Sequence, residues 1–244
     1  MTFPPLPTDR RTLLGLSVAG AAAAMLPARA AAKEPAHGGF AKSTLTPAQA
    51  FARLVDGNRR FVANQGNESD ISTRRRLALA KGQAPFAALV GCADSRVGPE
   101  HLFGAGLGEL FIIRTAGNYV DDAGFGSLAY AVAMLGVPLI VVLGHERCGA
   151  VDAATKLVTA NAQLPPSLTR MVRPILPAVI DARANHPGGD LLHHSILANV
   201  RHVTRGLRQT TDALIAAPLG AGTLRIVGAH YDLDTGAVDF FDRA

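Results

Sequence analysis

Apolar and polar positions along the chain change rhythm at a few clear points. Behind Thr46 and Pro47, an N-cap residue and a proline suited to the first helical position, Ala50, Phe51, Leu54, Val55, Phe61 and Val62 form an approximate helical stripe. An amphipathic arm is therefore predicted to about Asn64. Three runs that are apolar almost throughout follow, Phe86 to Gly91, Leu110 to Thr115 and Val137 to Gly144. Such runs suit parallel strands covered on both faces. A helix is predicted over Gly126 to Leu135. Two further helical stretches run from Gly149 through Ala162 and from Leu191 to about Leu214, with Pro165, Pro166, Pro174 and Pro177 breaking the region between them. Thr223 to Ala229 and Ala237 to Phe241, joined through Asp234-Thr235-Gly236, predict a closing hairpin. The pattern gives an α/β class: a mainly parallel central sheet flanked by helices, with an N-terminal helical arm and a C-terminal hairpin.

Residues 1–30 carry a different pattern. A short polar start ending in Arg10-Arg11 runs into the apolar stretch Leu13 to Leu26 and then Ala28-Arg29-Ala30, a small-x-small cleavage site. The stretch is shorter than the roughly twenty apolar residues a membrane span needs. It reads as an export signal, and Arg10-Arg11-Thr12-Leu13-Leu14 resembles the twin-arginine type. That route carries folded proteins, often with a cofactor loaded. The expected organisation is a signal peptide at 1–30, a linker at 31–45 and a domain at 46–244, the product being periplasmic or secreted, with no stable membrane anchor after cleavage.

Composition narrows the function. Of 244 residues, 48% are hydrophobic and 18% charged, which excludes a disordered chain. The net charge of +5, part of it in the leader, and 5% aromatic content argue against a nucleic-acid partner. Two cysteines exclude a disulfide framework and leave one bridge, two free thiols or a pair of metal ligands.

Candidate chemistry gathers at strand ends. Cys92 follows the first run, and Gly144-His145-Glu146-Arg147-Cys148 follows the third. Ligands of an open parallel sheet bind outside its carboxyl ends. If the two strands are neighbours, Cys92, His145 and Cys148 make the Cys₂His set of a catalytic zinc site with one open position. Asp94 and Arg96 follow Cys92 closely enough to pair while the carboxylate faces an activated water. That is the shape of a hydrolytic or hydration site. A Cys92 to Cys148 disulfide, a closed zinc site with Asp94 as fourth ligand, and a purely structural Asp94–Arg96 pair are the competing readings of the same residues.

The blocks Cys92-Ala-Asp94-Ser-Arg96-Val, Phe-Ile-Ile-Arg114-Thr-Ala-Gly-Asn118 and Gly144-His145-Glu-Arg-Cys148-Gly149-Ala resemble the β-class carbonic anhydrases, in order and at family spacing, over about residues 46–241. The resemblance implies a doubly wound core, an arm wrapping a partner subunit, a homodimer or higher homo-oligomer, and one zinc ion per chain on Cys92, His145 and Cys148. It assigns Asp94 and Arg96 to the catalytic dyad, and Gln83, Phe111, Tyr130 and Gly149 to substrate binding. Leu89 stands where another branch has the tryptophan of a regulatory bicarbonate site, so the open-site branch is expected. Thr115 and Ala150 depart from the commoner asparagine and glycine, and neither is a ligand.

The implied reaction is reversible hydration of carbon dioxide to bicarbonate and a proton, that of a carbonate dehydratase, a lyase. Carbon disulfide or carbonyl sulfide hydrolysis on the same scaffold, and a non-catalytic zinc-binding protein, are the alternatives. Arg114 is expected to anchor strand ends. The residues do not identify a proton shuttle, and only closeness in sequence to the Cys92 loop makes His101 a candidate. His193, His194, His202 and His230 receive no chemistry, and Arg74 to Arg76 read as a solvated face.

Overall fold

The computed structural model describes residues 42–65 and 69–243. The export signal and most of the linker expected from the sequence lie outside them. Thr46 caps α1 (Pro47–Val62) in a reciprocal capping box with Gln49. Only the first half of the predicted stripe is buried: Ala50 and Leu54 are fully covered, whereas Val55, Phe61 and Val62 are exposed. A short α2 (Thr73–Leu79) then leads to the sheet.

The sheet has five strands: β1 (Ala87–Cys92), β2 (Leu110–Thr115), β3 (Leu139–His145), β4 (Arg225–Tyr231) and β5 (Val238–Asp242), in spatial order β2-β1-β3-β4-β5. All neighbours are parallel except the β4–β5 pair, which is antiparallel. This is the α/β class expected. The two central strands are buried along their whole length, which is why they read as unbroken apolar runs. Alternate residues feed two cores. Ala88, Val90, Ile140, Val142 and Ile226 meet α4 (Asp122–Leu135), α8 (Leu191–Arg208) and α9 (Ala213–Gly220). Leu89, Leu139, Val141, Leu143 and Val227 face α1 and the short α3 (Pro99–Leu102).

Helix α8 lies against β3 and β4 through two glycines. A Cβ on Gly144 would fall 2.6 Å from Val200 Cγ2, and one on Gly228 2.7 Å from Val200 Cγ1, so both contacts need a residue without a side chain. A third apolar cluster sits over the carboxyl end of the sheet. It joins Cys92 and Cys148 to Val151 and Ala154 of α5 (Gly149–Ala160), Val179 of α7 (Leu176–Asn185) and Ile196 of α8.

Two expectations about the helices are corrected. The proline region is not a break: Pro166 opens α6 (Pro166–Val172), Pro174 lies in a 3₁₀ turn at Arg173–Ile175, and Pro177 sits in the first turn of α7. An N–H missing from a first helical turn leaves no intrahelical bond unmade. The stretch from Leu191 to Leu214 is not one helix either, since α8 ends at Arg208 and Asp212 caps α9. No helix of the described residues is long and apolar enough to cross a membrane.

Candidate metal centre

Order β2-β1-β3 makes the carboxyl ends of β1 and β3 the place where connections diverge to opposite sides, which opens a crevice there. Cys92 is the last residue of β1 and His145 the last of β3. After His145 the chain turns through Arg147, held at φ +52°, and delivers Cys148 as the N-cap of α5. All three side chains are buried, and one ligand atom from each lies within 4.8 Å of the others.

The donor chemistry fits zinc. His145 Nδ1 lies 2.9 Å from the Glu146 carbonyl oxygen and donates to it, which directs the Nε2 lone pair toward the sulfurs. That Nε2 is buried and has no hydrogen-bond partner, a costly state for a polar atom unless something is bound there. Cys92 and Cys148 Sγ are 3.9 Å apart, too far for a disulfide bond, and both are free thiols. The hydrogen bond between them draws the Cys92 thiol below its ordinary range. The same contact, with burial, pushes Cys148 up. Two sulfurs able to bind as thiolates and a lone imidazole nitrogen form the borderline-soft set that zinc takes.

Neighbouring groups hold this set in place. Arg114 donates from Nε to the Cys92 carbonyl at 2.8 Å and from Nη2 to the Asp94 and Val97 carbonyls at 2.7 and 2.9 Å. It therefore anchors the strand end, as expected. The Gly117 N–H donates to Cys92 Sγ at 3.3 Å, and Asn199 of α8 holds the Gly117 carbonyl at 2.8 Å. Arg147 is clamped to Asp234, in the β4–β5 turn, by two hydrogen bonds of 2.8 Å. The sequence assigns Asn199 and Arg147 no role at this centre, and Asp234 only a place in the closing hairpin turn. The tight His-x-x-Cys spacing was the available signal for Arg147, and none existed for Asn199.

Asp94 stands beside the trio without joining it. Arg96 donates from Nε to Oδ1 at 2.9 Å and from Nη2 to Oδ2 at 2.7 Å, and its backbone N–H also reaches Oδ1. The Arg96 hydrogen bonds hold the Asp94 carboxyl well below the usual carboxylate range. Gly149 opens α5 next to Cys148, with open space where a Cβ would sit.

The other expected substrate contacts are not brought to this centre within one chain. Phe111 pairs with Ala88, four residues before the Cys92–Thr115 pair, hence about 13 Å down the strand. Tyr130 of α4 packs on Phe111, their ring centroids 6.3 Å apart, and is 39% exposed. Gln83 precedes β1 and lines a surface hollow with Arg76, Leu79, Leu107 and Gly108, at the amino end of the sheet. His101 packs against Gly98 in α3. His186, His193, His194 and His230 form a chain of ring contacts but no group of three converging ligands.

A sequence-family model described as carbonic anhydrase matches residues 87–238. Carbonic anhydrase 2 of Mycobacterium tuberculosis strain H37Rv is 42% identical over 193 residues, which cover 78% of this chain and 90% of the relative. The solved β-carbonic anhydrase CcaA superposes with a TM-score of 0.60 at 26% identity, covering 80% of this chain and 92% of its own. A tetrameric β-carbonic anhydrase from Sordaria macrospora shares the fold with a TM-score of 0.62 at 22% identity, over 78% of this chain and 96% of that one.

Proposed function

This chain belongs to the β-carbonic anhydrase family and hydrates carbon dioxide reversibly to bicarbonate and a proton, and from that premise we propose that one zinc ion on Cys92, His145 and Cys148 supports the reaction. The observation that carries the proposal is the buried, unpartnered His145 Nε2 facing two sulfurs. Zinc held there supplies the Lewis acidity that lets water attack a carbonyl carbon near neutral pH. Asp94, kept anionic by Arg96, accepts a hydrogen bond from the attacking water at Oδ2 and so turns a lone pair toward the substrate carbon. Arg114 fixes the loop that carries Asp94, and the apolar cluster around both cysteines limits water at the centre.

We assign the chain to the open-site branch because both Asp94 oxygens are engaged by Arg96. Gln83, Phe111 and Tyr130 then serve the centre of a second copy. Their placement far from their own chain's cysteines supports this, as does the free edge of β2, where a cavity of about 380 Å³ runs along Phe111 to Thr115. The working form is a homodimer or a larger homo-oligomer. The Arg10-Arg11 signal directs it to the periplasm, folded and zinc-loaded, because two thiols 3.9 Å apart would otherwise meet an oxidising compartment.

Zinc analysis with stopped-flow hydration tests the reading. Asp94→Asn should retain zinc and lose roughly 10²-fold in rate. Full activity in metal-free wild type, or wild-type rates in Asp94→Asn, would overturn it.

A further inference from the structure

A second concentration of charge lies away from the metal centre. Arg201, Arg205 and Arg208 recur at i, i+4 and i+7 along one face of α8, and with Gln209, Phe241, Asp242 and Arg243 they line a cavity of about 460 Å³. The volume is that of a small-molecule site. One wall is built. Arg208 donates to Asp242 Oδ1 at 2.7 Å and to the Ile226 carbonyl at 2.6 Å, while Thr204 donates to Asp242 Oδ2. The carboxylate in the cavity is therefore committed to Thr204 and Arg208.

Among the described residues none of the other three guanidiniums closes an ion pair, although Arg201 lies near enough to Asp242 to help keep that carboxylate ionised. The Arg201 guanidinium lies over the Phe241 ring, its carbon 4.9 Å from the centroid, which restrains the side chain. Arg243 spends Nε on the Phe240 carbonyl. Arg201 and Arg205 stand one turn apart, about 6 Å along the helix axis. Like charges at that spacing repel unless a counter-charge sits between them. Guanidinium forks match phosphate oxygens two at a time, so a ligand with one anionic group would leave part of this set unmatched. Ile226, whose carbonyl Arg208 holds, lies five residues before Tyr231, which pairs with His145, hence about 16 Å along the strand from the metal centre. The ligand is therefore not the carbon dioxide or bicarbonate of the hydration reaction.

We propose that this arginine-lined cavity between α8 and β5 binds a small molecule carrying two or more linked phosphate groups. The site stands independently of the zinc reading, since none of its residues belongs to the centre.

Isothermal titration of the zinc-loaded protein with pyrophosphate and with tripolyphosphate tests it, against sodium chloride at matched ionic strength and with zinc content measured afterwards. Saturable binding of one anion per chain is expected, tighter for tripolyphosphate, with zinc retained. The double variant Arg201→Gln with Arg205→Gln changes two exposed side chains and should keep its fold, oligomeric state and anion-free hydration rate. Its affinity should fall by on the order of tenfold or more. Heats equal to those of chloride, equal affinity in the double variant, or binding accompanied by zinc loss would overturn the proposal. So would a double variant that changes oligomeric mass by light scattering, because the arginines would then serve a subunit contact.

Discussion

Asp94 Oδ2 lies 3.9 Å from His145 Nε2 while Arg96 grips both oxygens of the same carboxylate. The carboxylate is thus poised between the His145 imidazole and a cation, and the cation decides which way it faces. Arg96 holds Asp94 ionised well into acid, so the dyad is intact above the ordinary carboxylate range and is lost only as pH falls through the depressed value.

Arg96→Gln removes that hold. The Asp94 pKa should return toward the usual 3.9 or above, and the acid limb of the hydration profile should shift to higher pH, with zinc content unchanged. Stopped-flow rates across pH report the limb. An unmoved limb would show that the pair is structural only.

Subunit exchange separates the two places where the aromatic wall could act. Asp94→Asn damages the centre, and Phe111→Ala with Tyr130→Ala damages the wall. If the wall serves the partner's centre, mixing the two inactive proteins under exchange rebuilds one intact site in each heterodimer. Random pairing should then restore about a quarter of wild-type activity. No recovery, with heterodimers verified by mass, would place the wall in its own chain's site.

Arg147 combines a left-handed backbone with an exposed clamp on Asp234. Its side chain is 48% exposed and that of Asp234 70%, so water and salt screen the ion pair and it contributes little to stability. Arg147→Gly should be nearly neutral in urea unfolding and retain zinc, because glycine adopts φ +52° freely. Arg147→Val should cost about 1–2 kcal/mol and weaken zinc retention. Equal stability of the two variants would show that the turn carries no strain.

These residues also show how far the sequence could be read. The two central strands announced themselves because burial on both faces leaves no polar alternation, and the convergence of Cys92, His145 and Cys148 followed from strand ends that share one edge. The prolines misled because the residue type that stops one helix is well suited to starting the next. Phe111, Tyr130 and Gln83 matched a pocket by motif, yet a linear sequence does not say whose centre they meet. The Arg147–Asp234 clamp and the Asn199–Gly117 bond join positions 87 and 82 residues apart, with no periodic or spacing signal.

Replacing Arg10 and Arg11 together by lysine should leave zinc-loaded, active precursor in the cytoplasm. Appending a signal for unfolded transport should instead deliver periplasmic protein enriched in a Cys92 to Cys148 disulfide. Fractionation with activity and thiol counts reads both. Equal periplasmic activity from the double-lysine chain would refute the route, and full zinc with free thiols after unfolded export would refute its reason.

The proposed zinc centre is tested most directly by X-ray absorption at the zinc edge of the purified, active protein. The account predicts two sulfur scatterers at about 2.3 Å and two light atoms near 2.0 to 2.1 Å, one of them imidazole nitrogen. A shell of light atoms alone, or protein that is active with no zinc to measure, would contradict it.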